Sequence, residues 1–177
     1  MNDLELVAGI SRREPEAFHE VMERFAAPVI NLAVRFLGNR ADAEEIAQET
    51  FLRLYQHPPQ LDPSVKLFTW LYRVTVNLCM DRLRKQARTP PMEPLEDLQV
   101  AGSSSPRRAA VRTETADAVR RAVAALPADL RAPVILSMVE ELSHAEIAAI
   151  LGISPKAVER RLSRARDLLR PRLQQYL

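Results

Sequence analysis

Apolar residues in this chain recur at intervals of three and four, the period of an amphipathic helix, and no alternating run or Asn-Gly or Asp-Gly turn marks a strand or hairpin. Pro15 fits the first position of a helix running toward Leu37. Pro28 lies inside that stretch and predicts a kink or a split, and Gly38 ends it as a left-handed C-terminal residue. Asn39 caps a second helix to about Gln56, with Ala43, Ile46, Ala47, Phe51 and Leu54 on one face. His57–Pro63 holds three prolines in seven residues and is a loop. A long helix is predicted from about Val65 to Ala87.

The periodicity stops between residues 89 and 113, where Pro90, Pro91, Pro94, Gly102, Ser103, Ser104, Ser105 and Pro106 fall. Those 25 residues read as a linker able to reach roughly 80–90 Å when extended. A second helical block follows, Glu114–Leu177. The expected architecture is all-α: two small helical domains, 1–88 and 114–177, joined by a flexible linker, 89–113.

Within the second block, Ser143-His-Ala-Glu146 has the form of a capping box before the apolar residues Ile147, Ala148 and Leu151. Gly152 turns the chain, and Ser154-Pro155 supplies an N-cap and an N1 proline. Val158, Leu162, Ala165 and Leu169 form the inner face of the next helix. Ala148, Gly152 and Val158 have the spacing of a helix-turn-helix: a small residue for close approach, glycine for the turn, a branched residue to lock the second helix. The outer face carries Lys156, Glu159, Arg160, Ser163, Arg164 and Arg166, residue types that read base edges or meet phosphates in duplex DNA. The competing reading is a charged solvent face on an ordinary helical hairpin.

Composition changes this picture little until it is divided. The 177 residues are 47% hydrophobic and 27% charged with a net charge of +2, which excludes a disordered or low-complexity chain. Cys79 is the single cysteine, no Cys/His cluster has metal spacing, and no apolar stretch is long enough to span a membrane. With no signal-like N-terminus, a cytoplasmic protein is expected. Residues 1–60 carry 6 basic and 10 acidic side chains, whereas Lys66–Arg88 and Lys156–Arg172 each carry a net +5. Two basic stripes on a mixed background predict two separate polyanion contacts.

The first stripe is interleaved with Phe68, Trp70 and Tyr72, and aromatics beside Arg73, Asn77, Arg82, Arg84, Lys85 and Arg88 suit unstacked bases in a charged groove. Trp70, Leu71, Val74 and Leu78 also have helical spacing, so Trp70 is equally a core candidate. Asp42, Glu45, Gln48 and Glu49 lie on one polar helix face. Paired carboxylates can serve acid–base chemistry or ligate a metal, but no His or Cys accompanies them, and an acidic face fits docking on a protein as well.

The runs Asp42–Tyr55, Phe68-x-Trp70-Leu71-Tyr72-Arg73-x3-Asn77 and Asp81-x2-Arg84-Lys85 resemble regions 2.2 to 2.4 of bacterial sigma factors. Leu126-Pro127-x3-Arg131, Leu142-Ser143-x2-Glu146-Ile147-Ala148-x2-Leu151-Gly152 and Leu162-Ser163-Arg164-Ala165-Arg166 resemble region 4. The lack of an intervening region 3 matches the extracytoplasmic-function class, and the resemblance covers nearly all of the chain except the linker. It implies a transcription initiation factor without cofactor, metal or catalytic residue, acting on stress or envelope-response genes. Residues 1–88 would be region 2 and residues 114–177 region 4. Asp42, Glu45, Gln48 and Glu49 would dock on the clamp helices of core RNA polymerase. Phe68, Trp70, Arg73 and Asn77, with the loop Gln56–Val65, would trap a base of the melted −10 element, and Arg82, Arg84, Lys85 and Arg88 would hold backbone. The helix 155–169, with Lys156, Glu159, Arg160, Ser163, Arg164 and Arg166, would read the −35 element as duplex. An anti-sigma factor is implied as a further partner, the chain being a monomer when free or one-to-one with it. Three departures stand out: Lys156-Ala157-Val158 replaces the family's Gly-Thr-Val, Glu159 stands where Lys or Arg is common, which is expected to lower phosphate affinity, and the loop His57–Pro63 is proline-rich, which is expected to stiffen its base pocket and alter its −10 preference.

Two other functions are weighed. A dimeric helix-turn-helix regulator of the LuxR-like sort would use residues 114–177 and leave the Asp42 and Trp70 segments without a role. An enzyme built on Glu44, Glu45 and Glu49 would lack a nucleophile, metal set or phosphate loop.

Overall fold

A computed structural model describes residues 1–60, 66–88, 106–138 and 140–174, with side chains from 115 onward in the second block. The described residues hold eight helices and no strand: α1 Asp3–Ser11, α2 Pro15–Leu37, α3 Arg40–Gln56, α4 Leu67–Arg88, α5 Pro106–Ala124, α6 Ala128–Met138, α7 His144–Leu151 and α8 Pro155–Leu173. The expectations for 61–65 and 89–105 fall outside the described residues.

Helix boundaries follow local chemistry. Asn39 Oδ1 accepts the Asp42 amide at 2.8 Å to start α3. Gly38, at φ 79°, ends α2 with its amide bonded to the Val34 carbonyl, the left-handed geometry that a side chain resists. Three features differ from expectation. α2 is one continuous helix through Pro28, because buried residues on both sides, Val21 before and Val29, Leu32 and Ala33 after, hold one line against the core. α5 begins at Pro106, inside the segment read as linker. α1 has no counterpart in the periodicity reading. It starts in a capping box in which Asn2 Oδ1 accepts the Glu5 amide at 2.9 Å and Glu5 Oε2 accepts the Asn2 amide at 2.8 Å.

In the first block α2 packs against α1, α3 and α4. Leu6, Ile10, Val21, Val29, Phe51, Leu54, Leu67 and Leu71 form its core. In the second block α8 lies on α5, α6 and α7, with Ala122, Leu126, Leu130, Val134, Ala165 and Leu169 buried between α5, α6 and α8. A further cluster runs across both blocks: Phe36, Tyr72, Val76 and Met80 meet Ile135, Leu136, Ile147, Ile150 and Val158. Thr50 and Thr75, the two buried polar side chains among the described residues, lie with their hydroxyl oxygens 3.3 Å apart between α3 and α4, and each donates to a carbonyl of its own helix.

Candidate nucleic-acid interface

The helix-turn-helix forms as its sequence signals require. Ser143 Oγ accepts the Glu146 amide at 3.3 Å, and Glu146 Oε2 accepts the Ser143 amide at 3.0 Å. The Ser143 hydroxyl and then its amide, both donating to Glu146, hold that carboxyl below the usual range. Gly152 sits at φ 65°, and the Ser154 hydroxyl accepts the Ala157 amide at 3.2 Å to start α8. Val158 and Ala165 are fully buried, which turns Lys156, Glu159, Arg160, Ser163, Arg164 and Arg166 to solvent. Among the described residues none of Lys156, Arg160, Arg164, Arg166, Arg170 and Arg172 has an ion-pair partner. Cations without an ion pair keep their attraction for phosphate, which the exposed Glu159 on the same face reduces. At the second block's other end, Arg131 donates to the carbonyls of Ala124 and Leu126, joining α5 to α6.

α4 is arranged differently. Leu67, Leu71, Tyr72, Thr75, Val76, Cys79 and Met80 are buried, and Arg73, Asn77, Arg84, Lys85 and Arg88 are exposed. Trp70 is half-buried against the first core, and Phe68 is half-buried with its ring 4.1 Å from that of Tyr72. All three aromatics are therefore partly structural. Arg73, Arg82 and Arg84, grouped on this helix, each have a partner of their own. Arg84 pairs with Asp81 at 2.8 Å. Arg82 pairs with Asp42 at 3.2 Å and with Glu45, so it bridges α4 to α3 with its charge compensated. Arg73 donates to the carbonyl of Ala149 at the end of α7. Tyr72 Oη donates to Glu140 Oε2 at 2.9 Å, and Arg35 lies 3.5 Å from the same carboxylate. Burial, reinforced by Glu140, pushes the Tyr72 phenol up.

The acidic face of α3 divides likewise. Asp42 is held by Asn39 and Arg82, and Glu49 pairs with Arg53 at 2.8 Å. Glu45 and Gln48 are exposed, although Glu45 also meets Arg82. Leu52 and Tyr55 continue the same helical row and are 47% and 41% exposed, so the face is a mixed acidic and apolar surface suited to a protein partner. Sequence reasoning passed over Leu52; the signal was its position seven residues after Glu45. It also missed Asp3 and Arg13. Asp3 Oδ2 accepts the Leu67 amide at 2.7 Å, and Arg13 donates to the Tyr55 carbonyl at 2.6 Å. Asn2-x-x-Glu5 was the readable sign of the helix that carries Asp3.

Residues 21–89 match the family Sigma-70 region 2, and residues 116–169 match Sigma-70, region 4. The chain is similar to the ECF RNA polymerase sigma factor SigW of Bacillus subtilis, 32% identical over 93% of this chain and 92% of the relative. It is also similar to the RNA polymerase sigma-H factor of Pseudomonas aeruginosa, 29% identical over 99% of this chain and 95% of that one. Among solved structures it resembles CnrH in complex with the cytosolic domain of CnrY, with a TM-score of 0.70 and 26% identity over 98% of this chain and 97% of that one. It shares its fold with the sigma factor RpoE of Bartonella quintana, solved with the anti-sigma factor NepR, at a TM-score of 0.66 and 21% identity over 89% of this chain and 96% of that one.

Proposed function

This chain belongs to the sigma-70 family as an extracytoplasmic-function RNA polymerase sigma factor, and from that premise we propose how its surfaces divide the work of initiation. The dimeric LuxR-like alternative is not supported, since the region 2 match spans 21–89 and such a regulator has no use for it.

Residues 1–88 act as the polymerase-binding and −10 unit, 89–113 as the connection, and 114–177 as the −35 unit. Gln48, Glu45 and Leu52 present the docking row on α3 to core polymerase, with Asp42 and Glu49 shaping it. Trp70, Phe68, Asn77 and Arg73 hold unpaired −10 bases, while Arg84, Lys85 and Arg88 hold backbone. A base trapped on an aromatic ring is worth about 1–3 kcal/mol, so a few such contacts bias melting without ATP. The exposed row Lys156, Glu159, Arg160, Ser163, Arg164 and Arg166 meets the duplex at −35. The observation that carries this reading is the row of cations without ion-pair partners on α8 of a capped helix-turn-helix. The factor works in the cytoplasm on stress or envelope-response promoters. Its regulator is an anti-sigma factor, a reading supported by the sigma factor RpoE of Bartonella quintana, which was solved with the anti-sigma factor NepR.

Gel filtration with purified core polymerase is expected to give a one-to-one complex, and run-off transcription of a genomic library to give discrete start sites. Gln48→Arg with Leu52→Arg abolishes that complex without unfolding the chain. A double variant that still co-elutes with core removes α3 from the docking role.

A further inference from the structure

Between the last residues of α3 and the first of α4 lies the connection that the −10 reading assigns to base capture. Both ends of it are tied to one element, the α1–α2 hairpin. At the α3 end, the Arg13 guanidinium donates to the Tyr55 carbonyl at 2.6 Å and lies 4.3 Å over the Tyr55 ring, which Phe18 meets edge-on at 5.5 Å. At the α4 end, the Asp3 carboxylate accepts the amide of Leu67, the first residue of that helix, at 2.7 Å. Each charge has the sign its helix end favours: a cation at the carboxyl end of α3, an anion at the amino end of α4. Each also satisfies a backbone group that helix termini leave without a partner.

The hairpin that carries both groups is built tightly. A Cβ on Gly9 would stand 2.6 Å from Ala17 Cβ, so α1 reaches its seat on α2 only with glycine there. Arg13 occupies the left-handed region at φ 62°, which a residue other than glycine rarely adopts. Its amide bonds to the Ile10 carbonyl and the next amide to Gly9, closing the turn. The left-handed backbone and the side chain committed to the neighbouring helix end thus fall on the same residue. None of these residues lies in the region 2 match, which begins at 21.

We propose that Asp3 and Arg13 are positioning residues for −10 recognition: they fix the carboxyl end of α3 and the amino end of α4 relative to each other, and so set where Phe68, Trp70 and Asn77 of α4 stand to receive the single strand. The inference rests on the −10 reading of this block. It gives the α1–α2 hairpin a part in promoter opening without contact to DNA.

The test uses holoenzyme reconstituted from core polymerase and the full chain. The probe is a fluorescent single strand carrying the non-template −10 region of a promoter that the unaltered holoenzyme opens. Arg13→Gly removes the guanidinium and also relieves the left-handed backbone, so its thermal midpoint is expected to be equal or higher. Its affinity for the single strand is expected to fall about tenfold, with core binding and duplex −35 binding unchanged. Asp3→Ala is expected to do the same to the single strand, and Asp3→Asn, which keeps an acceptor for the Leu67 amide, to restore most of the affinity. An Arg13→Gly holoenzyme that binds the strand like its parent overturns the proposal. So does an Asp3→Asn variant as weak as Asp3→Ala. If the unaltered holoenzyme binds no single strand, the −10 reading falls and this inference with it; a loss confined to the variants leaves that reading standing.

Discussion

Arg82 and Arg164 carry the same charge and meet opposite surroundings. Arg82 is spanned by Asp42 and Glu45, whereas Arg164 projects from α8 with no ion-pair partner among the described residues. Arg164→Ala is therefore expected to leave the thermal midpoint unchanged while reducing the salt slope of −35 duplex binding by about one, as read from affinities between low and moderate salt. Arg82→Ala changes that slope not at all; as a partly exposed surface pair it costs only about 0–1 kcal/mol of stability. A duplex titration on both variants decides between the two roles. Cys79 makes a further residue-scale case. It is fully buried, and burial pushes its thiol from 9.0 up to about 12. A group whose folded pKa is raised stabilises the fold fully below its unfolded value and loses that contribution as pH rises. Stability is thus expected to decline from pH 9.0 toward about 12, and a disulfide reagent at neutral pH to label the native chain only at its rate of opening.

At the scale of elements, the capping box of α7 is the part that carries the recognition helix. Ser143→Ala is expected to cost about 1 kcal/mol in denaturant unfolding and to loosen the seat of α8. Because Glu146 is held below its ordinary range, the box stabilises α7 above that range and lets go as pH falls through it; helicity lost on acidification is expected to be smaller in Ser143→Ala. This element was fully legible in the sequence, as were Asn39 and Gly38 at the ends of α3 and α2. All three are local signals, in which the capping residue and the group it satisfies lie within four positions. What the sequence hid depends on distant partners. Pro28 reads as a breaker in isolation, yet α2 runs through it because its flanks are packed. Asp42 and Glu45 were read for polymerase docking and Arg82 for DNA backbone from charge and from the family resemblance, and the fold adds that the three meet across α3 and α4. Trp70 was read as either a core residue or a stacking ring, and it packs half-buried against the first core.

At the scale of the whole molecule, the two blocks are held against each other by more than apolar contact. Tyr72 donates to Glu140, Arg35 faces that carboxylate, and Ile147 and Ile150 are buried in the shared cluster. Ile150→Ala, which opens a void at a site only 1% exposed, is expected to cost about 2–5 kcal/mol in unfolding and to increase the distance between fluorophores placed on the two blocks. The hydrogen bond from Arg73 to the Ala149 carbonyl has a consequence in time as well as in affinity. A side chain proposed for single-stranded DNA donates to the first helix of the duplex reader, so a strand that takes Arg73 has to displace that bond and is expected to wait on its parting. In a stopped-flow experiment the association rate of the free chain then rises with strand concentration and levels off at the rate of parting, and Ile150→Ala lifts the plateau. A rate that climbs linearly without limit means that DNA finds α4 already uncovered.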